Sequence, residues 1–322
     1  MTPVIAVVPG SHEGRAALDE IGGLLASLAD VVELRTVELG VETYRRTGQA
    51  LPAEALEALR SSDAIVIAAP PGPGPADGDI APGVLEHGIV FALRRALGLS
   101  VNLRTFTGVG EEAGIDIAVV RENSEGAYFS PGDLVHDGTA DEIAVQAVVT
   151  SASAVERCLR YGFEQARLRG QSLVVAHKVR VLTVSGGIWI RTAERVARDF
   201  PDVAWRVESI DTCCGRIVSD PRSYGVIATD NVFGDILADV VSARARAGDY
   251  AVSVERPLGR SGPSLFEPMH DTHSSAAEHL ARRHLGLIGA FGAALVDLGL
   301  VERGTELHTA SIPSTAGSGA GA

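Results

Sequence analysis

The chain has 322 residues, of which 46% are hydrophobic, and a formal net charge of −13 at pH 7. That length and apolar content suffice for a large core and predict two domains. The acid excess excludes the extended basic surface that nucleic acid or an anionic membrane requires of a partner.

No stretch is long and apolar enough to span a bilayer, and Met1-Thr2-Pro3 lacks a basic, apolar leader. A cytoplasmic protein is therefore expected. Cys158, Cys213 and Cys214 match neither a disulfide framework nor a zinc pattern and are read as reduced. From Pro3 to Gly10 an apolar run closes on Pro-Gly, and a helical pattern follows over residues 15–28, a β-turn-α opening. Residues 31–37 and 63–69 repeat the strand pattern around a helix at 54–60, an alternation that predicts parallel strands covered by helices. The turn Gly10-Ser11-His12-Glu13-Gly14 reads either as a phosphate cradle or as a tight turn; it is not G-x-G-x-x-G. The Pro- and Gly-rich segment 70–81 reads as a loop.

Arg94 ends a helical pattern, Arg104 lies in an extended one, and Arg121 closes the strand 115–120. Singly each reads as a surface charge, but three guanidinium groups at element ends can converge on a dicarboxylate, whose planar oxygens they match in pairs. A long amphipathic helix is expected over 141–168, ending before Gly170. The strand 173–177 runs into Lys178, where a charge points into the ligand crevice of an α/β fold or simply into water. Asp211, after the strand 203–210, also suits a helix N-cap.

The strand 224–228 feeds a helix from Val232 on which Asp235 and Asp239, four apart, share one face. Like charges at that spacing repel unless something cationic sits between them. The run Val232-Phe233-Gly234-Asp235-Ile236-Leu237-Ala238-Asp239-Val240-Val241 is too apolar to leave them unpaired without cost. A divalent cation with oxygen ligands answers both problems. The last helix is placed at 285–298, and the Ser/Gly/Ala-rich residues 309–322 read as a disordered tail.

The stretch from Asp230 to Asp239 resembles the G/S-N-x-F-G-D-I-L-S-D signature of the isocitrate/isopropylmalate dehydrogenase family, the metal-dependent β-decarboxylating 2-hydroxyacid dehydrogenases. Arg121-Glu122-Asn123-Ser124-Glu125-Gly126-Ala127-Tyr128 and Leu265-Phe266-Glu267-Pro268-Met269-His270 resemble two further motifs of that family. Residues 142–146 and 155–161 place the chain nearest the tartrate/D-malate dehydrogenase branch. The resemblance, from about Pro3 to Gly317, implies an isopropylmalate dehydrogenase-like α/β fold of two domains, with a central mixed, largely parallel sheet and an active site in a cleft. A cofactor-side domain is expected from 1–98 and 248–322. A smaller one is expected from 99–247, bearing a dimerisation arm at about Tyr128 to Asp137.

The resemblance also implies roles. Tyr128 is the expected proton donor and Lys178 the base, acting through water. Arg94, Arg104 and Arg121 hold carboxylates. Asp235 and Asp239 of one subunit, with Asp211 of the other, hold Mg²⁺ or Mn²⁺. The third substituent of the substrate faces His87, Val90, Phe91 and a second subunit's Arg180. Glu267, His270, Ser275, Arg282 and Arg283 face NAD or NADP.

The implied reaction is oxidative decarboxylation of a small, malate-type 2-hydroxy diacid by a homodimer with shared sites. His87 and Arg180 point to a third substituent that is anionic, a carboxylate or phosphonate. Three departures from the pattern stand out: the residues between Gly10 and Gly14, Arg180 in place of asparagine, and the segment after His270, which lacks the residues that select NAD or NADP. They leave two alternatives open: a member that binds an anionic ligand without turnover, and one that oxidises without decarboxylation.

Overall fold

The computed structural model describes residues 2–70, 79–81, 83–108, 110–247, 251–259, 261–269 and 276–311, the last segment with side chains from residue 284. Two compact units emerge. Unit 1 comprises residues 1–99, 104–115 and 242–322, and unit 2 comprises 100–103 and 116–241.

The chain enters unit 1 through β1 (Val4–Val8), α1 (His12–Glu20), α2 (Gly22–Ala26), β2 (Glu33–Thr36), α3 (Val41–Thr47), α4 (Ala53–Arg60), β3 (Ala64–Ile67) and α5 (Ala92–Leu97); β4 (Val101–Thr107) follows, with residues 101–103 in unit 2 and 104–107 in unit 1. In unit 2 follow β5 (Asp116–Glu122), β6 (Gly132–Val135), β7 (Ile143–Gln146), α6 (Ala152–Arg169), β8 (Leu173–His177), α7 (Thr183–Val196), β9 (Trp205–Ser209), α8 (Ile210–Ser219), β10 (Val226–Thr229) and α9 (Asn231–Ala245). Unit 1 resumes with β11 (Val252–Arg256), β12 (Ser264–Pro268), α10 (Ala276–Asp297) and α11 (Val301–Ser311).

The strands of the mixed, mostly parallel sheet run in the order β2-β1-β3-β12-β11 within unit 1 and β5-β10-β8-β9 within unit 2. The only antiparallel pair in the unit 1 series is β11 with β12, among the described residues. Nearly every residue of β1, β3, β8 and β10 is buried and apolar, as strands flanked by helices on both faces require. The unit 1 core gathers Val8, Leu59, Ile65, Leu85, Ile89 and Leu93. In unit 2, Phe163 stacks on Phe200 at 5.2 Å and meets Trp205 edge-on at 6.1 Å.

Three expectations need correction. The single helix expected over 15–28 breaks at Ile21, because the Gly22-Gly23 pair gives the backbone a place to turn. The helix expected over 141–168 begins only at Ala152, where the Ser151 side chain accepts from the Ala154 N–H at 3.2 Å. Upstream, Ile143 and Val145 alternate with polar neighbours at the period of a strand, and β7 pairs antiparallel with β6, Val135 opposite Ile143. The predicted arm is thus a two-stranded hairpin, with Leu134, Val135, Ile143 and Val145 between 42% and 54% exposed. At the other end, Thr309–Ser311 are helical in α11 rather than tail; residues 312–322 lie outside the described ones. α10 and α11 meet closely: a Cβ on Gly304 would stand 2.6 Å from the Gly292 carbonyl oxygen. No helix of the described residues is long and apolar enough to cross a membrane.

Candidate active site

Four adjacent parallel strands of unit 2 end at one level. Thr229 of β10 pairs with Arg121 of β5, and His177 of β8 pairs with Ser209 of β9. The residues at or just beyond these carboxyl ends are Arg121, Asn231, Lys178 and Asp211, and this edge of an open α/β sheet is where ligands bind.

Two clusters form along it. In the first, buried Arg121 donates from Nε and Nη2 to Asn231 Oδ1 at 3.0 and 2.6 Å, and from Nη1 to Asp235. The Tyr128 hydroxyl donates to the other Asp235 oxygen at 3.1 Å, and the tyrosine ring lies 5.7 Å from the guanidinium carbon. Asn231 donates in turn to the Glu125 carbonyl at 2.9 Å, and Asp230 caps α9 by accepting from the Phe233 N–H at 2.8 Å. The helix therefore starts where its first turn can hold the arginine.

Gly234 lets α9 lie against the stem of that arginine: a Cβ there would sit 2.8 Å from Arg121 Cγ and 3.1 Å from Thr229 Cγ2. Gly234→Ala is expected to destabilise the protein by about 1–3 kcal/mol through overpacking and to weaken binding of an acidic substrate by displacing Arg121. Thermal unfolding and substrate KM check this, and an unchanged KM would free Arg121 of the role.

In the second cluster Lys178 pairs with Asp211, which also accepts from the Ser209 hydroxyl at 3.1 Å. The lysine hydrogen bond, then that of Ser209, holds the Asp211 carboxyl below its usual range. Ser209, not Asp211, is the N-cap residue of α8, and Asp211 sits in the first turn, where the helix dipole favours a negative charge.

Asp239 lies one turn after Asp235 on α9, both half-buried. Their hard carboxylate oxygens suit Mg²⁺ or Mn²⁺. Among the described residues, however, no three His, Cys, Asp or Glu side chains of the one chain are grouped to hold a metal. Asp211 is thus not gathered with Asp235 and Asp239 within a single copy.

Arg180 lies exposed in the turn after β8 of unit 2, and unit 1 holds the other expected substrate residues. Buried Arg94, in the last turn of α5, donates from Nε to both Glu255 oxygens at 2.9 and 3.0 Å. Its guanidinium carbon lies 5.4 Å over the Phe91 ring. His87 and Phe91, 4.9 Å apart, and Val90 belong to a π-helical turn, Glu86–Phe91, that leads into α5. Glu267, on β12 opposite Ser253, has its carboxyl raised by burial and then by the charge of Glu255; Arg94 and Arg104 oppose the shift. Of the expected cofactor residues Glu267 alone is described with its side chain; His270, Ser275, Arg282 and Arg283 lie outside the described side chains. The turn after β1 is tight: a Cβ on Gly10 would stand 2.1 Å from the Ala69 carbonyl oxygen and one on Gly14 1.9 Å from that of Pro9.

Four groups escaped the sequence reading. Asn231 was within reach, since it stands inside the motif. Buried Glu122 ties down its own loop, accepting from Ser124 N and Oγ at 2.9 and 2.6 Å and from Glu125 N at 2.9 Å, and burial raises its carboxyl. His177 Nε2 lies 3.4 Å from Asp230. Glu255 is a buried charge that directly follows the mostly apolar residues 251–254, an anomaly that itself asks for a buried partner.

Comparison with known proteins finds relatives over nearly the whole chain. The isocitrate/isopropylmalate dehydrogenase family model matches residues 4–312. The chain is 35% identical to the 3-isopropylmalate dehydrogenase of Corynebacterium glutamicum (strain R), covering 97% of this chain and 93% of that one. It is 39% identical to that of Corynebacterium efficiens, over 83% and 79%. Among solved structures, a β-decarboxylating dehydrogenase from Thermococcus kodakarensis matches with a TM-score of 0.71 at 30% identity, over 96% and 87% of the two chains. The isocitrate dehydrogenase of Methylococcus capsulatus shares the fold at a TM-score of 0.81 and 22% identity, over 96% and 89%. The chain belongs to the isocitrate/isopropylmalate dehydrogenase family and is an NAD(P)-linked, divalent-metal-dependent decarboxylating dehydrogenase.

Proposed function

We propose that the substrate is a malate-type 2-hydroxy diacid whose third substituent is anionic, a carboxylate or phosphonate, and that two copies of the chain share each active site. The observation that carries the sharing is the division of the carboxylates: Asp235 and Asp239 stand one turn apart on α9, while Asp211 pairs with Lys178 and is not grouped with them among the described residues. A six-coordinate cation has more oxygen positions than two side chains fill. Asp211 of the partner subunit completes the set, and the exposed apolar hairpin β6–β7 is a surface that a second copy would cover.

A divalent cation held by Asp235, Asp239 and the partner subunit's Asp211 would supply Lewis-acid polarisation of the hydroxyl oxygen, and a dinucleotide would supply the hydride acceptor. The chain's own residues do the rest. Arg94, Arg104 and Arg121 hold the two carboxylates of the malate moiety. Lys178 of the partner subunit removes the hydroxyl proton through water, and Tyr128 returns a proton to the carbon that loses carbon dioxide. Arg180, exposed two residues beyond Lys178, together with His87, offers positive charge to the third substituent.

The test is dinucleotide reduction with Mn²⁺ over malate, tartrate, isocitrate, isopropylmalate and a phosphonate analogue, with released carbon dioxide measured alongside. Equal yields of reduced dinucleotide and carbon dioxide are expected with an anionic third substituent preferred. No turnover of any diacid, or oxidation without carbon dioxide, overturns the reading. Arg180→Asn separates the finer claim, since an unchanged substrate preference removes Arg180 from the wall.

A further inference from the structure

Lys178 is the only lysine among the 322 residues. One turn of chain therefore aims the protein's single lysine ammonium. Downstream that turn is fixed: the Lys178 carbonyl accepts from the Val181 and Leu182 N–H groups at 3.0 and 2.9 Å. α7 follows so closely that a Cβ on Gly186 would stand 2.6 Å from Val179 Cα. Upstream stands His177, the last residue of β8, only 1% exposed.

The imidazole is held on three sides. Trp189 of α7 stacks on it at 5.8 Å with 27° between the planes, and Phe233 of α9 meets it edge-on at 5.5 Å. Nε2 stands 3.4 Å from Asp230 Oδ2, while Nδ1 is buried without a hydrogen-bond partner among the described residues. The polar demand of this ring thus falls on a single carboxylate, which favours the tautomer with its proton on Nε2. Asp230 can serve the ring because it caps α9 with its other oxygen, accepting from the Phe233 N–H at 2.8 Å. Successive side chains leave a strand on opposite faces. His177 is gripped between α7 and α9, and Lys178 departs toward Asp211, which accepts from Ser209 at the neighbouring strand end. A twist of the last β8 peptide would swing the ammonium away from that line.

We propose that His177 and Asp230 are positioning residues for the base: by tying the end of β8 to the first turn of α9 they fix the direction in which Lys178 leaves the strand, and so set the rate of proton removal without touching substrate. The inference rests on the reading of Lys178 as base given above. Both residues belong to the same copy as the lysine they aim.

Three variants separate polar holding from packing. His177→Phe keeps a ring between Trp189 and Phe233 but cannot meet Asp230. His177→Gln gives up the ring and keeps an N–H donor, and Asp230→Ser keeps the helix cap but gives up the contact with the imidazole. The kcat for the preferred diacid is expected to fall at least ~10-fold in His177→Phe and Asp230→Ser, with KM within ~3-fold, and to stay within ~3-fold in His177→Gln. Combining His177→Phe with Asp230→Ser should lower kcat by less than ~3-fold beyond either alone. Because lysine occurs once, protein grown on lysine isotopically labelled at Cε gives one lysine signal by NMR. That signal should shift in the two slow variants and hold its place in His177→Gln.

An Asp230→Ser enzyme with unchanged kcat, or His177→Phe as fast as wild type with His177→Gln slow, assigns the ring to packing alone and overturns the proposal. A lysine signal that stays in place while kcat falls does the same. Should Lys178→Met keep its kcat, or wild type turn over no hydroxydiacid, the reading of Lys178 as base fails and takes the proposal with it. A dead Lys178→Met beside unimpaired His177 and Asp230 variants sinks the proposal alone.

Discussion

Lys178→Met is expected to lower kcat by about 10²–10⁴-fold, the usual contribution of a positioned proton-transfer group, with little change in KM for the diacid. The fold should survive, because the lysine side chain is 33% exposed and its partner Asp211 62% exposed, so the orphaned carboxylate stays hydrated. Steady-state kinetics beside circular dichroism checks both statements. A kcat within tenfold of wild type would assign the base elsewhere. The same variant tests the sharing of sites. Lys178→Met and Asp235→Asn homodimers, each inactive, should recover about a quarter of the wild-type rate after subunit exchange. Half of randomly formed dimers are mixed, and each mixed dimer keeps one intact site of its two. No recovery after demonstrated exchange would place lysine and aspartate in one subunit's site.

Arg121→Met should be the most damaging change to substrate binding, with KM raised by about 10²–10³-fold, as when one partner of a hydrogen-bonded charge pair is truncated. It should also cost stability, about 1–3 kcal/mol. Asn231 Oδ1 and one Asp235 oxygen lose the arginine as donor, and the guanidinium paired with Asp235 disappears. Tyr128 loses the cation beside its ring as well. Arg121→Lys should recover stability better than KM, since an ammonium supplies charge but no fork. The two readouts are thermal unfolding and the KM of the preferred diacid. Equal effects on both would reduce Arg121 to a structural ion pair.

The site was legible where chemistry and spacing coincide. Asp235 and Asp239 could be placed on one helix face from their separation of four, and Arg121 at a strand end from the apolar run before it. Contacts between residues remote in sequence were not legible. Arg94 and Glu255 are 161 residues apart, and only the folded register of β11 brings them together. Asp235 also pairs with a guanidinium of this same chain, a contact that its spacing from Asp239 does not announce. The stretch 141–151 failed for a different reason. Its apolar residues satisfy both a helical stripe and a period of two, and pairing with β6 decided between them. The roles of Glu122 and Glu125 were equally out of reach: Glu122 accepts from Ser124 and Glu125, and Glu125 accepts from the Ser151 N–H and hydroxyl at 2.6 Å each.

The wide turn from Glu86 to Phe91 carries one residue more than an α-helical turn before α5 begins. Trimming a single residue from it would wind the segment to ordinary pitch and rotate everything upstream by about 100° about the helix axis. His87 would swing away while Arg94 kept its anchorage downstream. On the proposed reading, in which His87 faces the third substituent and Arg94 a carboxylate, insertion or deletion at this one spot would retune which side group the substrate carries without touching the arginine's anchorage.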